Sequence, residues 1–245
     1  MRDPHDALFG SDLANDQEFL AMVEEPAETT PDWKHMAPPC RTFTKARRKD
    51  RHANVKRLRS DKKPEGFGCE ETTEANLLAD RSAALAERQL ELSKWFSIEN
   101  PEGSYIWELK SFKRLLKKPG VFLVLLHQCA YGAPWKKPTL LLTNCPWLSG
   151  CLKCEDVGPH DHTVLEGKVW SFKMNQQVWL TSEAAEYPSG MCESWAESWK
   201  AWLCEEKKKK ESMGCDNTTT PHATFRKVGK FSNKLVREEL AQKAE

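Results

Sequence analysis

Hydrophobic positions recur with a helical period over one long stretch of the chain and as short unbroken runs elsewhere. Between Glu70 and Lys94, Leu78, Leu85 and Leu92 fall seven apart, and Leu77, Ala79, Ala83, Ala86 and Leu90 widen the stripe. That spacing, with no Pro or Gly inside it, predicts an amphipathic helix, and acids at its start with Arg and Lys later suit the helix dipole. Trp95-Phe96-Ser97-Ile98 follows as a strand that Glu99-Asn100-Pro101 closes. Val121 to Leu126 is wholly apolar, as a central strand covered on both faces is, and Thr139 to Thr143 reads as another. Upstream, Trp33 to Ala37 is a short strand that Pro38 and Pro39 end, because proline donates nothing to a sheet ladder. Asp16 to Val23, with Phe19, Leu20 and Val23 apolar, is a short helix that stops before Pro26. Strand, helix, strand and two more buried strands predict an α/β fold, a mostly parallel sheet with flanking helices.

The remaining stretches lack such periods. Residues 41 to 68 are basic, contain Pro64, Gly66 and Gly68, and read as a long loop, a length uncommon unless functional or disordered. Residues 145–180 form an irregular insert rich in Cys, His and Gly. Ala184 to Glu205 is a helix whose true start lies near Ser189, and its Trp195, Trp199 and Trp202 read as a face turned to a core. The expected organisation is an acidic segment 1–32, a core 33–205 that includes the insert, a charged linker 206–221 and a basic tail 222–245. No internal repeat is present.

Charge sharpens this division. The chain of 245 residues has a formal net charge of only +1, yet residues 1–33 carry nine acids against Arg2, a net of −8. Residues 34–63 carry twelve Lys and Arg against Asp50 and Asp61, a net of +10. The average therefore hides a basic patch of the kind that meets phosphates. Nine cysteines, an odd number, follow a start with neither a basic n-region nor an apolar h-region, so reduced thiols in the cytosol or nucleus are expected. The longest apolar run, Val121 to Leu126, is far short of the roughly 20 residues of a membrane helix. Lys207 to Lys210 reads equally as a solvated helix end or a nuclear signal.

Chemistry enters at two strand ends. Ala37-Pro38-Pro39-Cys40-Arg41-Thr42-Phe43-Thr44 is answered 59 residues after Cys40 by Glu99, in Ile98-Glu99-Asn100-Pro101. In an open parallel sheet ligands bind beyond the carboxyl ends of the strands, where both motifs fall. A thiol among many cations is a strong nucleophile, and a carboxyl beside an electrophilic ring protonates or hydrogen-bonds it as the nucleophile adds. A lone cysteine at a strand end is usually packing; its pairing with Glu99 and Asn100 carries the argument.

These residues resemble the C5-cytosine methyltransferase family, in which a strand ends in Gly-Pro-Pro-Cys-Gln and a later one in Glu-Asn-Val. The matched stretch runs from about residue 33 to 144, with His127-Gln128-Cys129-Ala130-Tyr131-Gly132 and Lys137-Pro138-Thr139 a weaker echo. The resemblance implies a Rossmann-like methyltransferase core in which Cys40 attacks C6 of a flipped cytosine, Glu99 contacts the ring edge, and Asn100 orders the strand end. It further implies S-adenosylmethionine as methyl donor, near Pro38, Pro39 and Asn100, and DNA as partner, held by Arg41, Lys45, Arg47, Arg48, Lys49, Arg51, Lys56 and Arg57. The family's Phe-x-Gly-x-Gly cofactor turn has no counterpart before Cys40, where Gly10 is the one glycine, and its Gln-x-Arg-x-Arg motif is missing after Gln128. The core is therefore expected to be incomplete at its cofactor end.

A second constellation is Cys151-x-x-Cys154 with His160-x-His162, four N and S ligands that suit a tetrahedral structural zinc, with Cys145 as a possible substitute. The rival expectation for the whole chain is a non-catalytic nucleic-acid-binding protein derived from a mobile element, keeping the basic loop and a zinc knuckle, with RNA in place of DNA an open choice.

Overall fold

A computed structural model describes residues 13–45, 58–172 and 174–212, which form two compact units. Of the described residues, the first takes those up to Leu123 together with Leu141–Asn144; the second takes Val124–Leu140 and residues 145–212.

The first unit opens with α1 (Asp16–Glu24), whose N-terminus is capped by the Asn15 side chain accepting from the Gln17 and Glu18 amides at 2.9 and 3.3 Å. Then come β1 (Trp33–Met36), α2 (Glu70–Glu91), β2 (Trp95–Pro101) and α3 (Lys110–Leu116). The long helix ends at Glu91, three residues short of the expected Lys94, and Ser93, with φ 56°, turns the chain into β2. Its buried face is narrow-chained, with Ala75, Ala79, Ala83 and Ala86 beside Leu85, and small residues let the helix lie close on β1 and β2. Phe96 and Ile98 of β2 are fully buried beneath it. Gln89, also fully buried, donates from Nε2 to the Pro31 and Trp95 carbonyls, both at 3.0 Å, so one helix side chain ties the entries of both strands.

β1 and β2 are parallel, in register Trp33 with Trp95 through Met36 with Ile98, as a strand, helix, strand crossover requires. The rest of the sheet corrects the expectation of a mostly parallel arrangement. The remaining strands are β3 (Phe122–His127) and β4 (Pro138–Thr143), the order is β1-β2-β4-β3, and the sheet is mostly antiparallel with that one parallel pair. The end of β4 meets the start of β2: the Asn144 amide and the Thr143 hydroxyl donate to the Phe96 carbonyl at 3.4 and 2.6 Å. The Asn144 side chain accepts from the Phe96 amide at 2.8 Å and donates to the Lys94 carbonyl at 3.0 Å. Length explains the reversal, because the stretch between β3 and β4 is shorter than the dozen or more residues a parallel crossover needs. It is filled by a single helical turn, Gln128–Tyr131, ending at Gly132 with φ 92°.

In the second unit, the stretch read as irregular holds a hairpin, β5 (Lys168–Ser171) and β6 (Gln176–Trp179), paired antiparallel, followed by the short α4 (Leu180–Glu183). Helix α5 (Ser189–Ser212) starts where its Pro188 and Gly190 predict. Gly190 is required there, since a Cβ would lie 2.9 Å from the Tyr131 carbonyl oxygen. The Trp face of α5 is a core face: Trp195 is buried, and Trp147 packs against Trp199 and Trp202 with ring centroids 6.1 and 5.0 Å away. Among the described residues no helix is long and apolar enough to cross a membrane.

Asn144→Ala removes the two side-chain bonds, to the Phe96 amide and the Lys94 carbonyl, that clip the antiparallel seam; a loss of about 1–3 kcal/mol is expected, read as a lower urea midpoint at unchanged slope.

Candidate functional site

Because β1 and β2 run parallel in the register given, the residues that follow Met36 and Ile98 lie side by side. The Asn100 side chain donates to the Pro38 carbonyl at 2.8 Å, so the Pro38-Pro39-Cys40 turn and Glu99-Asn100 share one rim. Cys40 is exposed, while Glu99 and Asn100 are buried. The turn then closes on itself, with the Phe43 and Thr44 amides both donating to the Cys40 carbonyl at 3.0 Å.

Behind the turn sits Arg59, only 2% exposed. Its guanidinium donates to the Thr42 carbonyl at 3.0 Å, the Thr42 hydroxyl at 2.9 Å, the Pro64 carbonyl at 2.6 Å, Asn76 Oδ1 at 2.7 Å and the Thr72 carbonyl at 3.3 Å. It also lies 3.7 Å over the ring of the fully buried Phe43, whose carbonyl accepts from the Tyr105 amide at 2.9 Å. Burial lowers the Arg59 pKa to about 10, against the pull of Cys69 and Glu65, so the group remains a cation at neutral pH. Arg59 was one basic residue among twelve in the sequence; the structure makes it an internal clamp. Of the expected phosphate-binding residues, Arg41 is exposed and Lys45 stands 5.3 Å over the Tyr105 ring. Arg47, Arg48, Lys49, Arg51, Lys56 and Arg57 lie outside the described residues.

A cleft of about 680 Å³ runs along β1 from Lys34 to Pro39, walled by Met22 of α1 and by Leu78 and Leu85 of α2. Glu18 and Glu25 bring carboxylates to it, the second ion-paired with Lys34 at 3.0 Å. His35 lines the same cleft. Ser97 Oγ accepts from the Trp33 indole at 3.0 Å and lies 2.8 Å from His35 Nδ1. His35 is exposed as a residue, yet the protein packed around it disfavours the cation and pushes its pKa down to about 4.

The second unit gathers a different group. The ligand atoms of Cys129, Cys154, His160 and His162 all lie within 4.8 Å of one another. Cys154 Sγ is 3.8 Å from His160 Nε2 and 3.4 Å from His162 Nε2. Tetrahedral zinc with ordinary Zn–S and Zn–N bonds separates S from N by about 3.6 Å, so the spacing suits such an ion. The Nδ1 of His160 is 2.8 Å from the Gly158 carbonyl, a bond that leaves Nε2 as the ligating atom. Burial, followed by the nearby Cys154, pushes the Cys129 thiol up, so a metal must displace its proton.

Three of the expected ligands are thus together, and Cys129 stands in the fourth place. Cys151 is not in that group; burial raises its thiol pKa, against hydrogen bonds from the Tyr131 and Trp195 side chains. Cys129 carries no spacing signal, being far from Cys154 in sequence, and only its position in the turn after β3 brings it there. Every cysteine among the described residues is free of disulfides.

Compared with known proteins, the chain matches no family model, no curated protein and no solved structure.

The lowered His35 pKa has a definite sign. An unfolded His35 takes up its proton near pH 6.5 and the folded one near 4, so its contribution to stability is complete above 6.5 and falls away toward pH 4. Melting temperature should drop across that window less steeply in His35→Gln than in the parent, and an NMR titration should place the imidazole well below 6.5.

Proposed function

We propose that the rim holding Cys40, Glu99 and Asn100 is the base-handling half of a site like that of the C5-cytosine methyltransferases, with DNA as its substrate. The observation that carries this reading is the Asn100 to Pro38 hydrogen bond between parallel neighbours, which sets an exposed thiol and a buried carboxyl at one pair of strand ends. A cytosine swung out of the stack brings its C6 to the thiolate of Cys40; as that bond forms, electron density moves to C5. The Glu99 carboxyl holds the N3 and amino edge and favours the adduct. The cations after Cys40 engage phosphates, with the strong salt dependence such contacts bring.

The cleft suits the nucleoside and sulfonium end of S-adenosylmethionine: its walls are mostly apolar, Pro38 and Pro39 line it, and Glu18 and Glu25, the second shared with Lys34, bring carboxylates toward ribose hydroxyls and a positive sulphur. Among the described residues no glycine lines it, so none there matches the turn that receives the methionine end elsewhere in the family. When bound, S-adenosylmethionine supplies the methyl group.

The Cys129, Cys154, His160 and His162 group is read as a structural zinc site. From Cys151 to Gly167 no side chain is fully buried, so that segment has no core of its own and a four-ligand tie would hold it.

Incubation with DNA containing 5-fluorocytosine and S-adenosylmethionine tests the first reading. A covalent complex through Cys40 is expected, absent in Cys40→Ser and about 10²–10⁴-fold slower to form in Glu99→Gln. Salt-sensitive DNA binding that survives Cys40→Ser, with no complex in the parent, would instead favour a non-catalytic nucleic-acid-binding protein, and RNA competitors would settle which polymer it prefers. For the metal, elemental analysis should find zinc in the parent and in Cys151→Ser but not in Cys154→Ser or His162→Ala.

A further inference from the structure

His127 closes β3 and is 6% exposed, two residues ahead of Cys129. Its backbone amide donates to the Leu152 carbonyl at 3.1 Å, and its Nδ1 accepts from the Cys154 amide at 2.9 Å. Leu152 is held again by its own amide, which donates to the Tyr131 hydroxyl at 2.6 Å. The Glu155 carboxylate lies 3.8 Å from the same His127 nitrogen, beyond hydrogen-bond length. One residue therefore carries one thiol along its own chain and grips the backbone of the other with its ring. That grip is independent of any ion.

We propose that His127, which is outside the group of four ligands, is the positioning residue of the metal site: it sets Cys154 against Cys129 before an ion arrives. The proposal rests on the zinc reading above. Preorganisation matters because thiols that must first be brought together subtract that ordering cost from the binding free energy. The segment that carries Cys154, His160 and His162 buries no side chain fully, and its far end is tied by the Thr163 amide donating to the Pro134 carbonyl at 2.7 Å. Outer groups of this kind change metal affinity by about 10–100-fold when removed.

The test compares His127→Leu, which removes the acceptor, with His127→Asn, whose Oδ1 sits about where Nδ1 does, and with Tyr131→Phe, which loosens Leu152 alone. Zinc affinity is read by chelator competition, and hydrogen exchange of the Cys154 amide is read in metal-free protein. The Leu variant should bind zinc at least tenfold more weakly and exchange the Cys154 amide faster. The Asn variant should recover most of both, and the Tyr131 variant should lose much less. If the Leu variant does not fold, His127→Gln, which moves the acceptor by one methylene, takes its place with the same expectation. Equal zinc affinity in the parent and the acceptor-less variant would overturn the proposal, as would a Tyr131→Phe loss as large as that at His127. A parent that takes up no zinc at all would overturn the metal reading, and the exchange experiment then judges His127 alone: an unchanged Cys154 amide sinks it.

Discussion

Two prolines at the end of β1 create a difficulty that the Asn100 side chain resolves. A parallel ladder needs amide donors from both strands, and Pro38 and Pro39 have none, so pairing must stop where the chain is still buried. The Pro38 carbonyl would be stranded there without the Asn100 amide. That single bond lets the strand end abruptly, with Cys40 exposed in the turn beyond it and Glu99 buried on the neighbouring strand. Its cost is visible in the same residue, whose Oδ1 is buried without a hydrogen-bond partner among the described residues. Everything proposed for the rim depends on this exchange of backbone pairing for a side-chain bond.

How much of this the sequence revealed depended on whether the signal was local. The stripe of Leu78 and Leu85 was enough for α2, and the apolar runs were enough for β3 and β4, because periodicity reports which faces are buried. Direction is another matter. A fully apolar strand looks the same whichever way it runs, and the short link between β3 and β4, where Gly132 reverses the chain, was the better guide. Helix α3 is too short and too charged to show a stripe, and the β5 and β6 hairpin alternates among polar residues, so neither stood out. The metal group was legible in Cys154, His160 and His162, which are neighbours in sequence, and not in Cys129, which is a neighbour only in space.

Charge counting misleads in a similar way. Lys34 and Arg59 belong to the strongly basic stretch, yet Lys34 is buried against Glu25 and Arg59 is sealed among carbonyls and the Phe43 ring. Two of the twelve cations counted in that stretch are internal, and neither is among the eight expected to hold DNA. A buried guanidinium keeps its charge because its five donors form a rigid fork that several oxygens can satisfy at once, whereas an ammonium could not reach them together. Arginine at this place is therefore a choice of shape.

The clamp at Arg59 has an evolutionary reading. Thr42 lies just before the basic stretch that follows Lys45, Arg59 lies just after it, and their hydrogen bonds fasten its two ends together beside Cys40. For a chain whose ends are already joined, adding or deleting residues between them changes closure entropy only slowly, by about 0.6 kcal/mol for a doubling in length. The length of such a stretch can therefore change at small entropic cost while Thr42 and Arg59 stay joined beside the thiol.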